Sequence, residues 1–87
     1  MIRHVSLGDG PFARARRLKA LVDAGAIVLA GNRRLKIYGR LDCVSGRQMK
    51  AENRVFFAGA GEAAAAGYRP CGHCMPAAYR RWRERPL

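Results

Sequence analysis

Apolar positions along this chain fall into short clusters whose spacing changes from helical to extended and back. Between Pro11 and Ala24 the residues Ala15, Leu18 and Val22 recur at steps of three and four, with Leu21 at their border and Arg14, Arg17 and Lys19 outside the stripe. That period predicts an amphipathic helix. Asp9-Gly10-Pro11 starts it, with proline near the first helical position, and Gly25 stops it. Ala26-Ile27-Val28-Leu29-Ala30 is an apolar run of strand length, Gly31-Asn32 reads as a turn, and Leu35-Lys36-Ile37-Tyr38 alternates as a returning strand, so a hairpin is expected. Arg54-Val55-Phe56-Phe57-Ala58, rich in β-branched and aromatic residues, is the clearest third strand. Glu62 to Ala66 is a short alanine-rich helix closed by Gly67, and Pro76 opens a last helix. On that helix Tyr79 and Trp82, three apart, share one face. They are expected as core anchors in preference to base-stacking platforms. The pattern predicts an α+β fold over residues 1–87 as a single domain: a small antiparallel sheet with helices at both ends of the chain.

Charge changes the picture from fold to partner. Seventeen Lys and Arg against six Asp and Glu give a formal net charge of +11. A compact chain with that excess repels itself, and a polyanion is the economical explanation; added solubility is the bland one. Charge alone leaves that polyanion open between DNA and RNA, because phosphate contacts do not separate the two. No apolar run approaches the length of a membrane span, and Met1-Ile2-Arg3-His4 is not followed by the apolar stretch of a secretory signal. The expectation is therefore a cytoplasmic protein without a membrane partner, and a monomer.

The cysteines supply the candidate chemistry. There are three of them, Cys43, Cys71 and Cys74, and an odd number fits a disulfide framework poorly. Cys71-Gly72-His73-Cys74 has the Cys-x-x-Cys spacing of a tetrahedral metal site, most simply zinc, and the βαβ pattern of a thioredoxin-like redox motif is missing. Cys43 offers a third sulfur from far along the chain, the kind of closure a small domain needs; a plain buried cysteine is the alternative. His73 and His4 are the histidines available as fourth ligand, with Asp42 or a water as the other choices.

The stretch from about Ile37 to Cys74 resembles the metal-binding N-terminal domain of the Ada DNA-repair protein family. Three pieces carry the resemblance: Glu52-Asn53 leading into Val55-Phe56-Phe57, then Glu62-Ala63-Ala64-Ala65-Ala66-Gly67, then Tyr68-Arg69-Pro70-Cys71-Gly72-His73-Cys74. It is strongest over residues 52–74, and the chain looks most like the small free-standing members. The resemblance implies a zinc held by four cysteines, one of them a nucleophile that takes a methyl group from a DNA methylphosphotriester, once and irreversibly. Cys71 and Cys74 match the family's last two ligands. Cys43 falls where the family has its first pair, four apart, and by its place after a strand it resembles the methyl acceptor. Position 47, where the partner cysteine would stand, is Arg47. If Cys43 is the acceptor, the site lacks a ligand; if it is the other member, the acceptor itself is absent. Arg69 matches the arginine before the family's third cysteine, and Arg47 falls near a family arginine that lies beside the DNA backbone.

The reading that follows is a zinc-stabilised module docking on the DNA phosphate backbone through Arg47, Lys50, Arg69, Arg80 and Arg81. Its alternative is a single-turnover methyltransferase-like protein with Cys43 as sacrificial acceptor. A partner-binding zinc protein, or a metal or thiol sensor, is the third.

Overall fold

Alternation along residues 54–57 decides the architecture. The computed structural model describes residues 1–43 and 49–85. In chain order these form β1 (Ile2–Arg3), a 3-10 turn (His4–Leu7), α1 (Pro11–Asp23), β2 (Leu29–Asn32), β3 (Ile37–Arg40), a second 3-10 turn (Ala51–Asn53), β4 (Arg54–Phe57), α2 (Ala60–Ala65), β5 (Arg69–Pro70) and α3 (Pro76–Arg83). The strands make one sheet in the order β1-β4-β2-β3-β5. Its pairings are antiparallel except for β5, which runs parallel to β3. The fold is α+β, as expected.

β4 lies between β1 and β2 and is covered on both faces, so Val55, Phe56 and Phe57 are all fully buried. Successive side chains of a strand point to opposite faces. Val55 and Phe57 join Tyr38, Ala63 and Tyr68 on one side, and Phe56 joins Ile27 and Ala30 on the other. On the first side the Phe57 ring meets Tyr38 and Tyr68 edge-on, with centroids 6.5 and 5.0 Å apart, the arrangement that aromatic quadrupoles favour. Leu7, Leu18, Leu21 and Leu41 close the second side. Truncating either phenylalanine to alanine removes about 3–5 kcal/mol.

Two sequence expectations are corrected. The buried face of α1 carries Leu18 and Leu21, while Ala15 and Val22 are exposed. The stripe runs through Arg14, Leu18 and Leu21, spaced four and three. Half-buried Arg14 can lie on it because its Nε donates to the Gly8 carbonyl at 2.9 Å. The hairpin also sits further along the chain than expected. Gly31 and Asn32 are strand residues, paired with Tyr38 and Ile37, and the turn spans 33–36. Asn32 makes that turn with its side chain: its Oδ1 accepts from the amides of Arg34 at 2.9 Å and Leu35 at 3.0 Å. Lys36 takes a left-handed φ of 58° and donates its amide to the Asn32 carbonyl at 2.8 Å. Gly31 serves packing instead of turning. A Cβ there would lie 2.9 Å from Phe57 Cε2 and 3.2 Å from Val55 Cγ2. The true left-handed glycines are Gly25 and Gly67, which close α1 and α2 at φ 73° and 87°. No helix among the described residues is long and apolar enough to cross a membrane.

His4 opens the first 3-10 turn with its ring 5.7 Å from that of Phe56. Its Nδ1 is buried and has no hydrogen-bond partner among the described residues. Burial, and then the positive charges of Arg54 and Arg14, lower its pKa from the ordinary 6.5. The unfolded chain therefore takes up this proton more readily than the folded one. The stability held at this site is complete above pH 6.5 and is lost as pH falls below it, toward the lowered folded value. Urea unfolding of the zinc-loaded parent and of His4→Gln should run parallel above pH 6.5, with the parent losing stability faster below it. Parallel curves throughout would show that His4 carries no such linkage.

Candidate metal centre

Cys43 meets the distant pair Cys71 and Cys74 because β5 pairs with β3. The Arg69 amide donates to the Lys36 carbonyl at 2.9 Å, and the Cys71 amide donates to the Tyr38 carbonyl at 2.7 Å. The second bond sets Cys71 against Gly39. From there the chain folds into a tight turn, with the Met75 amide donating to the Cys71 carbonyl at 3.0 Å. Cys74 returns toward β3, and Pro76, which needs no amide partner, starts α3 directly afterwards. Cys43 arrives from the other side in a turn closed by its own amide on the Arg40 carbonyl at 3.2 Å.

The three sulfurs lie within 4.8 Å of one another. Sulfurs bound tetrahedrally at about 2.3 Å from zinc stand roughly 3.8 Å apart, so a small contraction around the ion completes the geometry. The backbone already serves the site. The Arg40 amide donates to Cys74 Sγ at 3.3 Å, a bond that steadies a metal-held thiolate. Gly39 leaves room for it, since a Cβ there would lie 2.6 Å from Cys74 Sγ and 3.1 Å from Cys71 Cβ. As a bare thiol, Cys74 is pushed up to about 11 by burial and by its neighbouring sulfurs, against the pull of the Arg40 amide. A dipositive ion reverses that logic, because it stabilises the thiolates that crowd each other without it. The donor set is soft and sulfur-rich, as zinc prefers.

The other candidate ligands lie elsewhere. His73 is exposed, His4 packs on Phe56, and Asp42 accepts from Arg40 Nη2 at 2.8 Å. Among the described residues no histidine or carboxylate joins the three sulfurs. Arg47 falls in 44–48, outside the described residues. Lys50, Arg80 and Arg81 are exposed. Arg69 is half-buried, its guanidinium 5.1 Å from the centre of the Tyr79 ring and 5.6 Å from that of Trp82. Tyr79 and Trp82 stack on each other at 5.9 Å and stand outside both core clusters, contrary to the expectation that they anchor the core. The tight turn at Cys71 directs α3 along the edge strand β5 and away from the centre of the sheet. Sequence reasoning missed Gly39 and Arg40. A glycine breaking the alternation of a strand just before a cysteine was the available signal, since such a glycine marks close approach.

Residues 17–77 match the family model described as the metal binding domain of Ada. Among solved structures, the DNA methyl phosphotriester repair domain of E. coli Ada is similar. The identity is 32%, over 84% of this chain and 82% of that one, with a TM-score of 0.53. The curated protein sequences give no match.

Gly39→Ala tests the close approach directly. The added methyl group should displace Cys74 and lower zinc affinity by about 10- to 100-fold, the usual cost of disturbing a metal's outer partners. Competition against a chromophoric chelator reads it. Affinity equal to that of the parent would mean that β3 does not shape the site.

Proposed function

This chain belongs to the family of Ada metal-binding domains, and from that premise we propose that it docks on the DNA phosphate backbone and offers the Cys43 sulfur to a methylated phosphate. The observation that carries the reading is the convergence of Cys43, Cys71 and Cys74, with all sulfurs within 4.8 Å. The similar E. coli domain is one of DNA methyl phosphotriester repair. Zinc in this site keeps its sulfur ligands deprotonated at neutral pH, hence nucleophilic.

The transfer balances without a proton or a co-reactant. A lone pair on the Cys43 sulfur forms a bond to the methyl carbon as the carbon–oxygen bond breaks. The electron pair stays on the phosphate oxygen and restores its negative charge, and the cysteine becomes a neutral thioether. Nothing regenerates the thiolate, so each chain acts once. A methylphosphotriester is itself uncharged, so the neighbouring phosphates must provide the hold. Exposed Lys50, Arg80 and Arg81, and Arg69 beside the cysteine turn, supply positive charge for that purpose.

A second reading keeps the docking and drops the chemistry: the zinc is structural. Two observations favour it. The chain has three cysteines where the resemblance implies four ligands, and Cys43 is only 7% exposed. In both readings, neutralising about four to six phosphates makes log affinity for duplex DNA fall against log salt with a slope of roughly −4 to −5.

Native mass spectrometry of the zinc-loaded protein, before and after incubation with an oligonucleotide carrying one methylphosphotriester, separates the two. The acceptor reading expects one methyl group gained per chain, mapped to Cys43, and none on Cys43→Ser. One zinc retained and no methyl gained would leave a backbone-binding module with a structural metal.

A further inference from the structure

Away from the metal, the tip of the β2–β3 hairpin, the end of α2 and the end of α3 enclose an open groove of about 480 Å³. Lys36, Arg69 and Arg85 line it together with Tyr68 and Trp82, and no carboxylate among the described residues does. None of the three cysteines reaches it. Its cations already lie on aromatic faces. Arg85 stands 4.2 Å from the indole centre, Arg69 5.6 Å from it, and Lys36 Nζ 5.0 Å from the centre of the Tyr68 ring. The small residues Ala64 and Gly67 keep the groove open on the α2 side.

This is the composition of a site that reads an unpaired base and its phosphates together. A flat, half-buried indole flanked by guanidinium groups presents a stacking plane, and the cations beside it complement a backbone that carries one charge per nucleotide. An acidic peptide would match the charge but leave the indole unused. A duplex would match the charge but hides its base faces. Arg85 is exposed, and its guanidinium covers the indole as a stacked base would. An exposed cation–π contact is worth a factor of about 2 to 5 in an equilibrium constant, whereas a base stacked on an aromatic side chain is worth about 5 to 150. Arg85 Nη1 also donates to the Trp82 carbonyl at 2.5 Å, which keeps the guanidinium beside the groove when a base takes its place on the indole, with its other N–H groups turned to a phosphate.

We propose that this groove binds an unpaired nucleotide of single-stranded nucleic acid, the base stacking on Trp82 and the flanking phosphates held by Lys36, Arg69 and Arg85. The proposal shares with the function above the class of partner and Arg69, and the absence of methyl transfer would leave it standing.

Trp82 is the only tryptophan in the chain, so its fluorescence reports the site without a label. The zinc-loaded protein is titrated with a short oligothymidylate, an oligouridylate, an abasic strand of equal length and a polyglutamate of equal charge. Binding of Trp82→Leu and Trp82→Phe is followed by polarisation of labelled strands. The base-bearing strands should quench the indole and bind at least fivefold more tightly than the abasic one. A preference for thymidylate over uridylate, or the reverse, identifies which nucleic acid the groove takes. Trp82→Leu should fall to the abasic affinity while keeping its zinc and its duplex binding, and Trp82→Phe should retain part of the preference. Equal affinity for abasic and base-bearing strands overturns the proposal. So does an unaffected Trp82→Leu, or polyglutamate quenching as strongly as the nucleic acids.

Discussion

The Cys71 amide donates to the Tyr38 carbonyl at 2.7 Å, and much of the molecule's chemistry hangs on that bond. It ends the two-residue parallel pairing of β5 with β3. It also stops the chain beside Gly39, where the strand leaves room for Cys71 and Cys74 to approach. The tight turn back to Cys74, the Arg40 amide on the Cys74 sulfur, and the start of α3 at Pro76 all follow from where Cys71 stands. The core holds the pairing in place from below, because Tyr38 itself belongs to the cluster around Phe57.

A pairing so short does not hold on hydrogen bonds alone, since each nets only about 1 kcal/mol. A metal makes up the difference. Structural zinc contributes on the order of 10 kcal/mol to the folding of small domains at neutral pH, as much as the whole stability of an ordinary one. Here it would tie residue 43 to residues 71 and 74, enclosing β4 and α2, the elements that carry Phe57 and Ala63. The same ion that keeps a sulfur nucleophilic would then also keep the fold closed, so the chemistry and the stability of this chain draw on one site.

Much of this was legible in the sequence because it was local or periodic. The strand at 54–57, the helix from Pro11, the helix from Pro76 and the Cys-x-x-Cys turn each announce themselves through side-chain type and spacing. What was hidden depended on contacts between distant segments. β1 and β5 are two residues long and show no alternation; they exist because neighbours offer free edges. Gly31 looked like a turn residue, and only the nearness of Phe57 shows that it is a strand residue chosen for want of a side chain. Leu21 borders the apolar stripe by period but lies on the buried face with Leu18, because the period marks a face only to within one residue and that face also takes in the charged Arg14. Tyr79 and Trp82 looked like core anchors by size, yet the turn at Cys71 carries their helix along the sheet edge, where arginines cover them. The gathering of Cys43 with Cys71 and Cys74 was readable from residue type. The identity of a fourth donor was not, since no spacing rule ties His4, His73 or Asp42 to the trio.

Everything above turns on all three cysteines holding one metal ion. X-ray absorption at the zinc edge of the loaded protein tests it most directly. One zinc per chain is expected, with three sulfurs at about 2.3 Å and a single lighter donor. A shell of two sulfurs would remove Cys43 from the site and with it the proposed acceptor. A shell of four would demand a cysteine from a second copy of the chain. Either result would contradict the centre described.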